Sequence, residues 1–148
     1  MKRFLTSISF LVFCFALSAQ SSVKKNFDFA APDATFVKNE AGDGYRSQEL
    51  KSSIQLNVFP ISYETIIKDV DNNVKDNMKV VSSEPKSIGA HEGYLQKVHL
   101  GGTDGFVGLS FFLPTEDGTI VMHGSYPQGE DAALYDKYLK AFESLATK

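Results

Sequence analysis

Apolar and polar residues alternate over residues 54–59, where Ile54, Leu56 and Val58 share one side and Gln55 and Asn57 the other. That is the two-residue period of a half-buried strand, and Pro60, which has no amide hydrogen for a ladder, ends it. Shorter extended runs come before it: Phe27 and Phe29 around Asp28, Thr35-Phe36-Val37 after Pro32, and residues 45–50 after the Gly42-Asp43-Gly44 turn. Past Pro60 the period changes. Tyr63, Ile66, Ile67, Val70, Val74 and Met78 fall at helical spacing and predict an amphipathic helix of about four and a half turns. Ser62 is its N-cap, and Glu64, Lys68, Asp69, Asn72, Lys75 and Asp76 form its outer side.

A loop with Ser82, Ser83, Pro85 and Gly89 follows, and then strands at 94–100, 106–113 and 119–126. The segments between them, Gly101-Gly102-Thr103-Asp104-Gly105 and Pro114-Thr115-Glu116-Asp117-Gly118, are too short for parallel crossovers, so the three strands form an antiparallel meander. Phe111 and Phe112 are adjacent in a strand and must point to opposite faces, so both faces need cover. A second helix over 130–146 supplies it on one side through Leu134, Tyr138, Ala141, Phe142 and Leu145, with Glu130 and Asp131 at the positive end of its dipole. The order predicts a single α+β domain over 27–148, an antiparallel β-sheet of about six strands sandwiched by two amphipathic helices.

The N-terminus follows a different logic. Met1-Lys2-Arg3, an apolar run over residues 4–17 and Ser18-Ala19-Gln20 are the parts of a secretory signal peptide, with cleavage expected after Ala19 and Ala16 as the alternative position. The apolar run is shorter than the roughly 18 residues that a membrane span needs. Cys14 lies inside it behind the bulky Phe13, which is not the small residue that precedes a lipid-accepting cysteine. Residues 1–19 are thus expected to be removed, residues 20–26 to form a polar flexible lead, and the protein to work in the periplasm or outside the cell. Without Lys2 and Arg3 the net charge of −3 becomes about −5, Arg46 is the only arginine, and no thiol remains for a disulfide. So acidic a chain excludes nucleic acid as a partner and is a poor match for an anionic membrane surface.

The element order, together with three local features, resembles the PsbP-like fold family. The features are Ser87-Ile88-Gly89-Ala90-His91-Glu92-Gly93-Tyr94 leading into the meander, the Asp117-Gly118 hairpin before Ile120-Val121-Met122, and the closing helix with Tyr138, Phe142 and Ser144-Leu145. That family includes the extrinsic photosystem subunit, a nuclear-import cofactor that binds a small GTPase, and many exported or lipid-anchored bacterial members. The resemblance implies a binding module without chemistry of its own and assigns no site residue. A cystatin-like helix-on-sheet fold has a comparable element order.

The residues give little chemistry to choose from. The histidines are His91, His99 and His123; His91-Glu92 is expected in a loop, and His99 and His123 on strands separated by one other. If those two imidazoles share a face they stand about 10 Å apart, too far for one metal. No metal-ligand spacing or cofactor motif is present, so neither is expected. Neither Gly108-Leu109-Ser110-Phe111 nor Gly124-Ser125-Tyr126 completes a nucleophile elbow, and the Gly101–Gly105 turn lacks the lysine and following helix of a phosphate loop. Arg46 is the one guanidinium able to grip a carboxylate or phosphate in two-point fashion. The expectation is an exported, non-catalytic binding or interaction module, not an enzyme, with Arg46, His91, Glu92 and His123 as candidate contacts. Its first candidate surface is the loop over 84–93 with the neighbouring hairpin turns, for an unknown protein partner. A small-ligand or lipid carrier with a pocket between helix and sheet is the alternative, and a hydrolase centred on His91, Glu92 and His123 a third.

Overall fold

A computed structural model describes residues 26–102 and 104–148, so the expected signal peptide and all but the last residue of the expected flexible lead lie outside the described residues. In chain order the elements are β1 (Phe27–Asp28), β2 (Val37–Lys38), β3 (Gly44–Ser47), β4 (Ser52–Phe59), α1 (Tyr63–Asp69), β5 (Met78–Ile88), β6 (His91–Leu100), β7 (Phe106–Thr115) and β8 (Gly118–Pro127). A single 3-10 turn (Gln128–Glu130), α2 (Asp131–Glu143) and β9 (Ala146–Thr147) complete the chain. The main sheet is antiparallel with seven strands in the order β2-β3-β4-β8-β7-β6-β5, and β1 pairs with β9 in a separate two-stranded ribbon. The α+β class and the β6-β7-β8 meander are as expected. The strand number is higher than the six anticipated.

Two differences in the first half have one cause. The helix expected to run to residue 78 stops at Asp69, because Asp71-Asn72-Asn73 turns the chain: the Asn72 and Asn73 amides and the Asn73 side chain all donate to the carbonyl of Asp69. The chain then reverses into β5, where a loop was expected. β5 is polar because it is an edge strand, mostly open to solvent, so its sequence lacks the clean alternation of a strand with a buried face. The segment 84–93 is therefore a hairpin, closed by Gly89-Ala90 with Gly89 in the left-handed region at φ 58°, and His91 and Glu92 begin β6 instead of lying in a loop. Ser62 caps α1 as expected, its Oγ accepting from the Thr65 amide at 3.3 Å.

The core lies between the sheet and α2. Ile54, Leu56, Leu109, Phe111, Met122 and Tyr126 face Leu134, Tyr138, Ala141 and Phe142 and are almost fully buried. The start of α2 is fixed by Asp131, which takes the Lys97 ammonium at 2.5 Å and the Tyr126 hydroxyl at 2.8 Å. On the other face α1 covers far less, packing Tyr63, Ile66 and Ile67 on Phe112, Val121, Phe59 and Tyr94. Phe111 and Phe112 do go to opposite sides. A two-turn helix cannot roof a seven-stranded sheet, and the uncovered part of that face carries the candidate site.

Candidate functional site

Strand register brings four polar side chains into one row beyond the end of α1. Gln96 on β6 faces Ser110 on β7, Ser110 faces His123 on β8, and His123 faces Gln55 on β4. Residues paired across an antiparallel ladder point to the same face, so these four share the α1 side. Ser110 Oγ and His123 Nδ1 are 2.7 Å apart. A carboxylate closes each end of the row: Gln96 Nε2 donates to Asp71 Oδ1 at 2.8 Å and to the Val70 carbonyl at 3.2 Å, and Gln55 Nε2 reaches Asp43 Oδ2 at 3.4 Å.

Over this row lies a groove of about 330 Å³, within the range of small-molecule sites. Ile66, Val70 and Val74 wall it on the helix side, Val98, Leu100 and Phe112 continue the apolar surface along the sheet, and Ser110, His123 and Ser125 form the polar part of the floor. Among the described residues no Asp, Glu, Lys or Arg lines it. Gly108, beside Ser110, adds no side chain and keeps the floor low. His123 is open to solvent along the groove, yet the surrounding protein removes enough water to hold its imidazole below the ordinary pKa of 6.5. The ring is therefore neutral near pH 7, and its bond to Ser110 leaves Nε2 as a second donor or acceptor, according to tautomer.

The candidate residues separate. His123 belongs to the groove. His91 is on the opposite face, where its Nε2 lies 3.0 Å from the carbonyl of Leu145 just beyond α2, beside an open depression that includes Phe27, Glu92 and Thr147. His91, Glu92 and His123 therefore do not converge as the hydrolase alternative requires. His99 pairs with Val107 and lies on the α2 side, so it and His123 share no face. Arg46, exposed on β3, lies opposite Ser53, which itself lies opposite the groove residue Ser125, and so falls on the same face as His123. Among the described residues, no three His, Cys, Asp or Glu are grouped to hold a metal ion. Ser110, Gln96 and Gln55 were not anticipated; the available signal was their place on the polar side of their strands, which becomes a row only when the register is known.

No protein-family model and no curated protein matches the chain. Solved structures do resemble it. The solution structure of cyanobacterial PsbP (CyanoP) from Synechocystis sp. PCC 6803 is similar at a TM-score of 0.58 and 10% identity, over 84% of this chain and 88% of that one. The crystal structure of LpqN, involved in cell envelope biogenesis of Mycobacterium tuberculosis, is similar at 0.56 and 10% identity, over 82% of this chain and 83% of that one. At such identity the likeness is one of fold, and the chain has the PsbP-like fold expected from its element order and the three local features.

Proposed function

We propose that the protein is an exported binding module without chemistry of its own, and that its ligand is a small molecule with an apolar body held in the groove between α1 and the sheet. The observation that carries this is an uncharged groove of about 330 Å³ with apolar walls and a few converging polar groups on its floor, the usual make-up of a small-molecule site. It moves the preference from the 84–93 segment as a protein contact to the carrier alternative. Export is supported by the basic, apolar and small-residue succession of residues 1–20, and among the described residues no helix is long and apolar enough to cross a membrane.

Binding is favoured over catalysis by where the hydroxyl–imidazole pair sits. Ser110 and His123 are in the middle of central strands, whose amides are engaged in the ladder and are not free to form an oxyanion hole. The carboxylates at the ends of the row hold Gln55 and Gln96, with neither bonded to the imidazole as in a triad. The test is titration of the mature protein with the neutral apolar dye N-phenyl-1-naphthylamine, beside a Ser110→Leu variant whose side chain fills the floor. Single-site binding that the variant abolishes without loss of the folded state supports the assignment. Absent binding, or binding unchanged in the variant, refutes it.

A further inference from the structure

The groove is uncharged, but the sheet face it opens onto is not. Beyond His123 and Ser125 the face continues across β4 through Gln55 and Ser53 to Arg46 on β3, all of them exposed. Arg46 stands two strands from Ser125, about 10 Å along the sheet, and roughly 15 Å from the groove strand β7. Among the described residues the Arg46 guanidinium has no ion-pair or hydrogen-bond partner. An arginine with no acidic partner among the described residues, on a polar shelf continuous with an apolar groove, is complementary to a molecule with an oxyanion at one end and a chain at the other.

We infer that the groove holds a single-chain amphiphile with an anionic head, its tail between α1 and the sheet and its carboxylate or phosphate above Gln55 against Arg46. This rests on the groove being the ligand site. The tail replaces water over Val70, Val74, Val98, Leu100 and Phe112, and the head stays at the exposed end, where it keeps part of its hydration. Neutral His123 and Ser110 lie between the two, where they can bond an ester or hydroxyl oxygen near the head. A carboxylate bonds the terminal glutamine at either end of the polar row, Asp71 at Gln96 and Asp43 at Gln55, but it is at the Gln55 end that Arg46 shares the face and can meet the anion.

The experiment is native mass spectrometry and calorimetric titration of the mature protein at pH 8 with dodecanoate, dodecyl phosphate, dodecanol and dodecyltrimethylammonium, each below its aggregation limit, on wild type and Arg46→Gln. We expect one anionic ligand per chain, bound about fivefold or more tighter than dodecanol, with Arg46→Gln erasing that preference and leaving dodecanol unchanged. A stronger effect for dodecyl phosphate than for dodecanoate identifies a phosphate head, and the reverse a carboxylate. Equal binding of alcohol and anions, preference for the cation, or indifference to Arg46→Gln overturns the head assignment while leaving the groove in place. If none of the four binds but the neutral dye does, the amphiphile is wrong and the groove stands; if the dye also fails, the groove itself is not the site.

Discussion

The ring of Tyr138 on α2 lies directly against the backbone of Gly124 on β8, so close that a Cβ at position 124 would overlap its Cδ1 and Cε1 carbons. The ring is also held at its tip, where the hydroxyl donates to the carbonyls of Ser53 at 2.9 Å and Ser125 at 3.3 Å. Burial keeps this phenol neutral at any ordinary pH, so it remains a donor. Tyr138 thus links α2 to both β4 and β8, the strands that join the two halves of the chain. Gly124→Ala is expected to cost about 3 kcal/mol by overpacking, and Tyr138→Phe about 1 kcal/mol through loss of the donor. Urea unfolding measures both; an alanine variant as stable as wild type contradicts the contact.

Lys97 is the second fastening of α2. Its ammonium is only 15% exposed in side-chain terms, sits 2.5 Å from Asp131 and lies 4.9 Å from the centre of the Tyr135 ring. Burial alone would raise the Asp131 pKa, but the bonds from Lys97 and Tyr126 outweigh it and hold the carboxyl below its ordinary value. Lys97→Met removes the stronger partner and leaves a half-buried carboxylate with Tyr126 alone. The expected loss is about 2 kcal/mol at pH 7, between the values for exposed and fully buried pairs. A depressed carboxyl contributes stability above its unfolded pKa and loses it as pH falls, so the deficit should shrink at pH 3; a deficit constant with pH rules out this account.

The legible parts of the fold are those where one physical signal acted alone. β6, β7 and β8 combined apolar faces with short Gly turns, and α2 carried an unbroken stripe from Leu134 to Leu145. α1 was overextended because Val74 and Met78 keep the helical period while Asp71-Asn72-Asn73 breaks the backbone, and at this point the local hydrogen bonds to Asp69 prevail over periodicity. β5 was hidden by its place at the edge, which permits serine, lysine and proline. The candidate site depended on long-range register. His123 was visible as a residue, but its partner Ser110 follows from the β7–β8 pairing, and its shared face with Arg46 from the pairing of β4 with β8, across some 65 residues of sequence that no local pattern connects.

Acid should weaken the hold of the N-terminal segment on α2. Asp33 receives the Lys137 ammonium at 2.8 Å, the Thr35 hydroxyl at 2.6 Å and the Thr35 amide at 2.8 Å. Lys137 is the largest contributor in bringing the carboxyl down from 3.8 to about 2. Because the folded pKa is the lower one, the stabilisation is complete above about pH 4 and disappears as pH falls through 2. Lys137 is 43% exposed, so solvent screening reduces the contribution to about 1 kcal/mol. Asp33→Asn should therefore be less stable than wild type at pH 7, with most of the difference gone by pH 2. Thermal unfolding across that interval measures the difference, and parallel curves would refute it.

The open edge at β5 carries its own protection. Eleven residues long and paired only with β6, it presents a row of backbone groups to which another chain could add. Three features oppose this: Pro85 lacks an amide hydrogen, the register shift between Val80 and Ser82 interrupts the edge, and Lys79 and Lys86 place like charges along it. Val81, 48% exposed, shows what the edge would offer without them. Replacing Lys79, Pro85 and Lys86 together with valine should leave the chain folded, since none of the three is buried, and make it self-associate with rising concentration more than wild type does. Sedimentation velocity at low and high micromolar protein reads this directly. A triple variant that sediments as wild type at both concentrations would mean that strand length and twist alone keep the edge unpaired.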